Sequence, residues 1–556
     1  MQAGLSDIKS AQVATPFGAR ARHALLGVPA GLLALVFALP AAVVVAHLLV
    51  PRMETWSHLA STVLPGYLWN TLALGLGVGL GVTVVGVGCA WLTAMCRFPG
   101  QGWLSWALIL PIAAPAYVLA YLYTDLLQFS GPLQSTLRAL TGWSAGDYAF
   151  PDIRSLWGAA CVLVAVLYPY VYLLARTAFL ELSASSLETA RMLGHGAWGS
   201  FLYVALPLAR PAIVAGLALA LMETLADYGT VAYFGVDTFS TGVLRAWFSM
   251  GDPVAAAQLG ALLLLGVGAV VMLERTLRGR SAFHGGMRRA PQPYVLSGAR
   301  AMLALVACLV PLLAGFALPV ALLLRLAFQE IEPGFAGRFL QLAGNSLTLS
   351  VSTALVAVTG ALLLAYAARL QPGRLTQAAS RVAGLGYAVP GVVIAIGVLV
   401  PVTALDRWFS GWLAQSFGLA PRLWLTGTIV ALVYACAVRF MSIALQTIEA
   451  GLGKIRRNMD DAARSLGLSP LRTLLEVHAP LLARSLLTAL LLVFVDVMKE
   501  LPATLAMRPF NFDTLAVQTF NLAKDERLTE ASFAALAIVA VGLIPVLMLA
   551  RQAGRR

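Results

Sequence analysis

The sequence predicts an all-α, polytopic membrane protein with about twelve transmembrane helices arranged as two parallel six-helix repeats. Three observations carry that reading. Of 556 residues, 60% are hydrophobic and 11% charged, less than half the ~25% charge of an ordinary soluble domain. The apolar residues gather in runs long enough to cross a hydrocarbon core of ~30 Å as helices. The second half of the chain also repeats the first.

Apolar windows place spans near residues 24–50, 68–95, 103–123, 156–178, 212–234, 255–273, 301–328, 346–368, 383–405, 425–448, 481–498 and 531–550. The first run is too long for a signal-peptide core, so it reads as a retained span. With both termini cytoplasmic, most of the 38 Lys and Arg residues fall on the inner loops and tails, as the positive-inside rule requires. The net charge of +13 is therefore a topology signal, and nucleic acid is not expected as a partner because the basic residues share no single soluble face. Five cysteines without a CxxC pair suggest neither a disulfide framework nor a zinc site.

The repeat shows in matched segments. Asn70-Thr71-Leu72 resembles Asn345-Ser346-Leu347, and Pro115 matches Pro390, both at an offset of 275; Glu188 to Gly194 matches Asp461 to Gly467 at an offset of 273. An even number of spans per half makes the two copies parallel, so any pathway between them lies on a pseudo-twofold axis along the membrane normal. The expected organisation is a cytoplasmic tail and first span (1–66), a first core (67–274), a cytoplasmic linker rich in Gly, Pro and Arg (275–300), a seventh span with its outer loop (301–340) and a second core (341–550).

After the fourth span of each half comes an inner loop with an acid, a Gly six residues later and a Pro thirteen beyond that Gly. It reads as a short helix, a turn at Gly194 or Gly467, and a second helix stopped near Pro207 or Pro480. The pattern resembles the EAA motif of ABC-transporter permeases of the binding-protein-dependent importer type. That resemblance assigns Glu188, Ala190, Gly194 and Pro207 in the first copy, and Asp461, Ala463, Gly467 and Pro480 in the second, to coupling with ATP-binding subunits. Thr189 and the acid Asp461 depart from the motif while keeping size or charge. The chain itself has no Walker A sequence, so ATP is expected on two copies of a partner subunit and no cofactor on this chain. A G-x-S-x-G match at Gly142 to Gly146 lies in an outer loop without the strand-to-helix setting of a hydrolase nucleophile.

Acids inside the membrane are costly and are therefore candidates for function. Glu223 and Asp227 stand four apart in the fifth span, and Asp496 and Glu500 repeat the spacing at an offset of 273. Across the pseudo-axis they would make an electronegative constriction suited to a hard cation; paired with neighbours such as Lys499, they would only hold helices together. Tyr168, with Tyr170 and Tyr172 beside Pro169, offers phenolic oxygens, although aromatic stripes usually pack. The glycines from Gly75 to Gly81 suit close helix packing.

The segments from Met222 to Thr230 and Asp496 to Thr504, with Asp525-Glu526-Arg527, resemble the double-length ferric-iron importer permeases. The resemblance implies iron(III) passed across a bacterial inner membrane from a periplasmic substrate-binding protein, with no metal stably bound. Permeases for thiamine, polyamines or phosphonates are the near alternative, and an ion-coupled secondary transporter is the alternative of a different class.

Overall fold

A computed structural model describes residues 17–144, 146–182, 188, 192, 194, 196–278, 293–328, 335–418, 420 and 423–553. The first sixteen residues of the expected tail, Ala190 and residues 279–292 of the expected linker lie outside them. The crossing helices are α1 (Phe17–Ala46), α2 (Leu64–Met95), α3 (Ala116–Leu127, continued by Pro132–Thr141), α4 (Leu156–Leu180), α5 (Leu206–Ala226), α6 (Pro253–Arg278), α7 (Gly298–Leu312, continued by Leu318–Ala327), α8 (Phe335–Leu370), α9 (Gly391–Phe417), α10 (Ile429–Leu452), α11 (Ala479–Met498) and α12 (Leu528–Ala553). Eleven are long and apolar enough to span a bilayer as they stand, and a bent segment around α3 brings the number to twelve.

The expected third span, 103–123, is corrected. Its apolar run is interrupted by Pro111 and Pro115, which cannot continue a helix. A short inner helix (Gln101–Ala107) and a 3₁₀ turn (Leu110–Ala113) therefore precede α3, with a bend of 93° between them. The second half repeats the arrangement with Arg374–Ala383, a 3₁₀ turn at Gly386–Ala388, Pro390 and α9. Both crossing segments end on a left-handed glycine, Gly142 (φ 72°) and Gly418 (φ 64°), the usual terminator of a helix.

Hydrogen bonds carry the repeat into three dimensions. Asn70 Nδ2 donates to the Asp237 carbonyl (2.8 Å), and Asn345 Nδ2 to that of Asp513 (2.9 Å). The next residues, Thr71 and Ser346, accept from the amides of Phe239 and Leu515, which open the matched outer helices Phe239–Phe248 and Leu515–Lys524.

The halves nevertheless interleave. α1 packs on α8, α9 and the inner helix Arg374–Ala383 of the second half, while α7 packs against α2, α3 and α4 of the first. One hydrophobic core thus joins α2–α5 with α7 and α12, and the other joins α8–α11 with α1 and α6. On α2, Leu68, Leu72, Leu76, Leu80 and Val84 are exposed at helical spacing while Leu74, Val78 and Val82 are buried; the bilayer is the solvent for the outward row. Behind that row α2 and α4 touch closely. A Cβ on Gly86 would lie 2.8 Å from Val171 Cβ and 3.0 Å from the Tyr168 carbonyl oxygen.

Phe201–Ala205, Leu313–Ala317 and Thr473–His478 are π-helical, and each is followed two residues on by a proline, Pro207, Pro319 or Pro480. Proline lacks the amide an α-helix needs and presses on the carbonyl four residues back; the wider π turn relieves both. Pro207 and Pro480 therefore do not stop their helices, as the sequence suggests. They lie within continuous spans, Trp198–Ala226 and Pro470–Met498.

Candidate translocation site and coupling loops

A cavity of about 130 Å³ opens where the halves meet, lined from both by Glu223, Asp227, Asp496 and Glu500 together with Tyr170, Tyr387, Lys499 and Arg439. The two acid pairs do share one space. They do not share continuous helix faces, because α5 ends at Ala226 and α11 at Met498, short of the expected end at 234 for the fifth span. The reason is local. Asp227 leaves the helix at φ −65°, ψ 130°, and its carboxylate accepts from the amides of Thr230 and Val231 (3.1 Å each) and from the Thr230 hydroxyl (3.0 Å). It thereby caps the short helix Gly229–Tyr233. Glu500 does the same for Pro502–Met507, accepting from the amides of Ala503 and Thr504 and from the Thr504 hydroxyl at 3.0 Å each. An acid at a helix start satisfies free N–H groups and the positive end of the dipole.

Of the two readings of these acids, the second half follows the paired one. Lys499 Nζ lies 2.9 Å from Asp496 Oδ1, and Arg439 donates to Glu500 Oε1 at 2.8 Å. Glu223 interacts with the Tyr387 hydroxyl, which in turn meets Tyr170. Among the described residues neither Glu223 nor Asp227 has a basic side chain within ion-pair distance. Both cations belong to the second half. The positions related to Arg439 and Lys499 by the offset of 273 are Val166 and Ala226, which line the same cavity. The cavity is consequently polarised among the described residues, with acids that lack an ion-pair partner on the first-half side and ion-paired acids on the other.

Tyr168 is not part of it. Its side chain is fully buried and lines a separate apolar cleft with Cys89, Gly81 and Gly88. Two residues on a helix differ by about 200° in direction, so Tyr170 takes the cavity and Tyr168 the opposite face. Tyr387 and Arg439 are cavity residues that sequence reasoning missed. Tyr387 precedes Pro390, the matched partner of the cavity-lining Pro115, and Arg439 is a basic residue in mid-span; both signals were present in the sequence.

The two inner loops follow α4 and α10, six spans apart, and therefore lie on one side of the membrane. Glu188 is exposed, and Gly194 turns at φ 82°. In the second loop Asp461 is exposed on the helix Asn458–Ser465, Ala463 is buried, and Gly467 turns at φ 79°. Pro207 and Pro480 are exposed in the first turns of α5 and α11. Both loops also present large apolar side chains, Trp198 and Tyr203 in the first and Leu466, Leu471 and Leu475 in the second.

The family model described as "Binding-protein-dependent transport system inner membrane component" matches residues 82–277 and again residues 357–556. The chain belongs to this family. It is a transport permease and a multi-pass protein, and the family describes a transport component, not an enzyme. The permease is 26% identical over 490 residues to the Fe(3+)-transport system permease protein FbpB 2 of Haemophilus influenzae, covering 87% of this chain and 89% of that one. It is 23% identical to the ferric transport system permease protein FbpB of Actinobacillus pleuropneumoniae over 71% of this chain and 58% of the relative. A shorter match, 32% identical over 150 residues, joins 27% of the permease to 62% of the molybdenum transport system permease protein ModB of Escherichia coli. The two family matches begin 275 residues apart, the offset that relates Asn70 to Asn345.

Proposed function

We propose that this permease carries ferric iron across a bacterial inner membrane as the membrane subunit of an ATP-driven importer. Two copies of an ATP-binding subunit engage the loops around Glu188 and Asp461, a periplasmic binding protein delivers the cargo on the opposite face, and both termini are cytoplasmic. The permease cores are 67–274 and 341–550, joined by the linker 275–300 and by the seventh span with its outer loop, 301–340. Exposed apolar side chains on both inner loops support the docking surface, since such patches mark interaction sites. Membership of a binding-protein-dependent family favours this reading over an ion-coupled secondary transporter.

The observation that carries the substrate class is the pair of acids without an ion-pair partner among the described residues, Glu223 and Asp227, in a cavity shared by the two halves. Hard cations favour carboxylate and phenolic oxygen, which Glu223, Asp227, Tyr170 and Tyr387 supply from the wall. An anion would meet these acids before any free cation, because Lys499 and Arg439 are already paired. The capped carboxylate of Asp227 has most of its oxygen capacity committed to Thr230 and Val231, so the site is suited to brief contact during passage and not to lasting coordination. Loop closure by the ATP-binding subunits would rock the halves about the axis on which this cavity lies.

The test is uptake into proteoliposomes that hold the complete transporter with ATP inside and loaded binding protein outside. Labelled ferric iron is expected to accumulate only with ATP and the binding protein present. Accumulation of 2-aminoethylphosphonate or molybdate, with none of iron, would overturn the assignment.

A further inference from the structure

The two coupling loops are fastened to the membrane helices by different chemistry. In the second half Arg369, at the inner end of α8, donates from Nε and Nη2 to Asp460 Oδ2 (3.1 and 2.8 Å) and from Nη1 to the Leu452 carbonyl that ends α10 (2.6 Å). The other Asp460 oxygen lies 2.6 Å from His478 Nε2 in the π-helical segment. Tyr366, one turn before Arg369, packs on the His478 ring at 5.5 Å and donates its hydroxyl to the Pro470 carbonyl. Asp460 and His478 are buried. Burial pushes the Asp460 carboxyl up, but the hydrogen bonds and charge of Arg369, followed by those of His478, hold it below its ordinary value, so it is ionised at neutral pH.

The three residues that carry this chemistry are not repeated in the first half. By the offset of 275 that relates α2 to α8, Arg369 corresponds to Ala94; by the offset of 273 that relates the loops, Asp460 corresponds to Leu187 and His478 to Ala205. All three polar members are replaced together. The first loop instead meets a cluster of rings, with Trp91 5.0 Å from Phe201 and 5.5 Å from Phe179, and Trp198 stacked on Phe201 at 5.3 Å. At their outer ends the two long helices are alike, each tied to the outer helix of its own half by an Asn and the hydroxyl residue that follows it. At the inner face α2 is tied to α4 through the Thr93 and Tyr172 hydroxyls (3.2 Å), whereas α8 is tied to its coupling loop itself, through Arg369 and Asp460.

We propose that Arg369, Asp460 and His478 are positioning residues that make the second coupling loop a rigid extension of α8, so that movement of that loop is delivered to the outer face. In the described part of the first loop, Trp198 and Phe201 pack with Trp91 in a ring cluster, apolar packing that is less directional than an ion pair. This inference rests on the reading that the loops dock ATP-binding subunits, and it makes the second loop the stiff lever.

The molecule supplies its own control. Arg369→Ala, Asp460→Leu and His478→Ala together give the second loop the residues of the first, and replacing a whole buried charged set by apolar residues is often neutral for folding. In the complete complex the triple variant is expected to co-purify with the ATP-binding subunit and to hydrolyse ATP, while transport per ATP falls by about fivefold or more. Asp460→Asn, which keeps the shape and removes the charge, is expected to lower the same ratio and decides the matter if the triple variant does not assemble. An assembled variant with the wild-type ratio would overturn the lever. Failure of the wild-type permease itself to co-purify with the ATP-binding subunit would instead overturn the docking reading, and the lever with it.

Discussion

Removing the Arg439 guanidinium strands Glu500, whose side chain is 1% exposed, without its counter-charge. Breaking such a buried pair from one side costs about 3–5 kcal/mol, so Arg439→Met is expected to lower the thermal unfolding temperature of the purified permease markedly. An unchanged transition would mean that the amides of Ala503 and Thr504 suffice to hold the carboxylate. Lys499→Met is expected to cost less, because both members of the Lys499–Asp496 pair are partly open to the cavity. At this scale the sequence was readable in part. The spacing of Asp496 and Lys499 already allowed an ion pair on one helix, and Arg439 stood out as a base in mid-span. What no spacing rule supplied was that Asp227 and Glu500 leave their helices to cap the next ones, or that a half-turn separates Tyr168 from the space Tyr170 faces.

Gly467 and Gly194 show how much an element depends on a single backbone conformation. Both turn at φ near 80°, and a Cβ at either would meet nothing within 4 Å, so any effect of substitution comes from the backbone alone. Gly467→Ala is expected to cost about 1–3 kcal/mol locally and to weaken coupling. Gly467→Pro, whose φ is fixed near −65°, is expected to abolish transport-linked ATP hydrolysis while the protein still inserts in the membrane. Transport-linked hydrolysis at the wild-type rate in the Pro variant would remove the turn from the mechanism. The glycine turns were legible because only glycine adopts that conformation cheaply. The prolines misled because a π segment, which lets Pro207 and Pro480 sit inside a long helix, leaves no periodic trace in the side chains. The third span misled in the opposite way, since an apolar window does not register that Pro111 and Pro115 divide it between an inner helix and α3.

For the whole molecule, duplication predicts equal halves, and the structure departs from equality in two places. The first and last spans are exchanged, so each core is completed by two helices from the other half. The isolated first half, lacking α7 and α12, is therefore expected to be unstable, whereas two halves co-expressed as separate chains are expected to co-purify; a stable, monodisperse first half alone would contradict the interleaving. Parity of spans and the matched motifs made the repeat readable, but exchange depends on packing between segments distant in the chain, such as Gly315 on Ala165 and Gly397 on Pro40, which no local pattern encodes. The second departure is charge. Arg439 and Lys499 correspond to Val166 and Ala226 in the first half, so among the described residues Glu223 and Asp227 have no ion-pair partner while Asp496 and Glu500 do; under the proposed function they are the acids a cation is expected to meet first. The most direct test is uptake of labelled ferric iron by the complete transporter carrying Glu223→Gln, with assembly and ATP hydrolysis measured on the same sample. Uptake is expected to fall about tenfold, equivalent to about 1.4 kcal/mol, in a complex that still assembles and hydrolyses ATP. Iron uptake at the wild-type rate would contradict passage of the cation through this cavity.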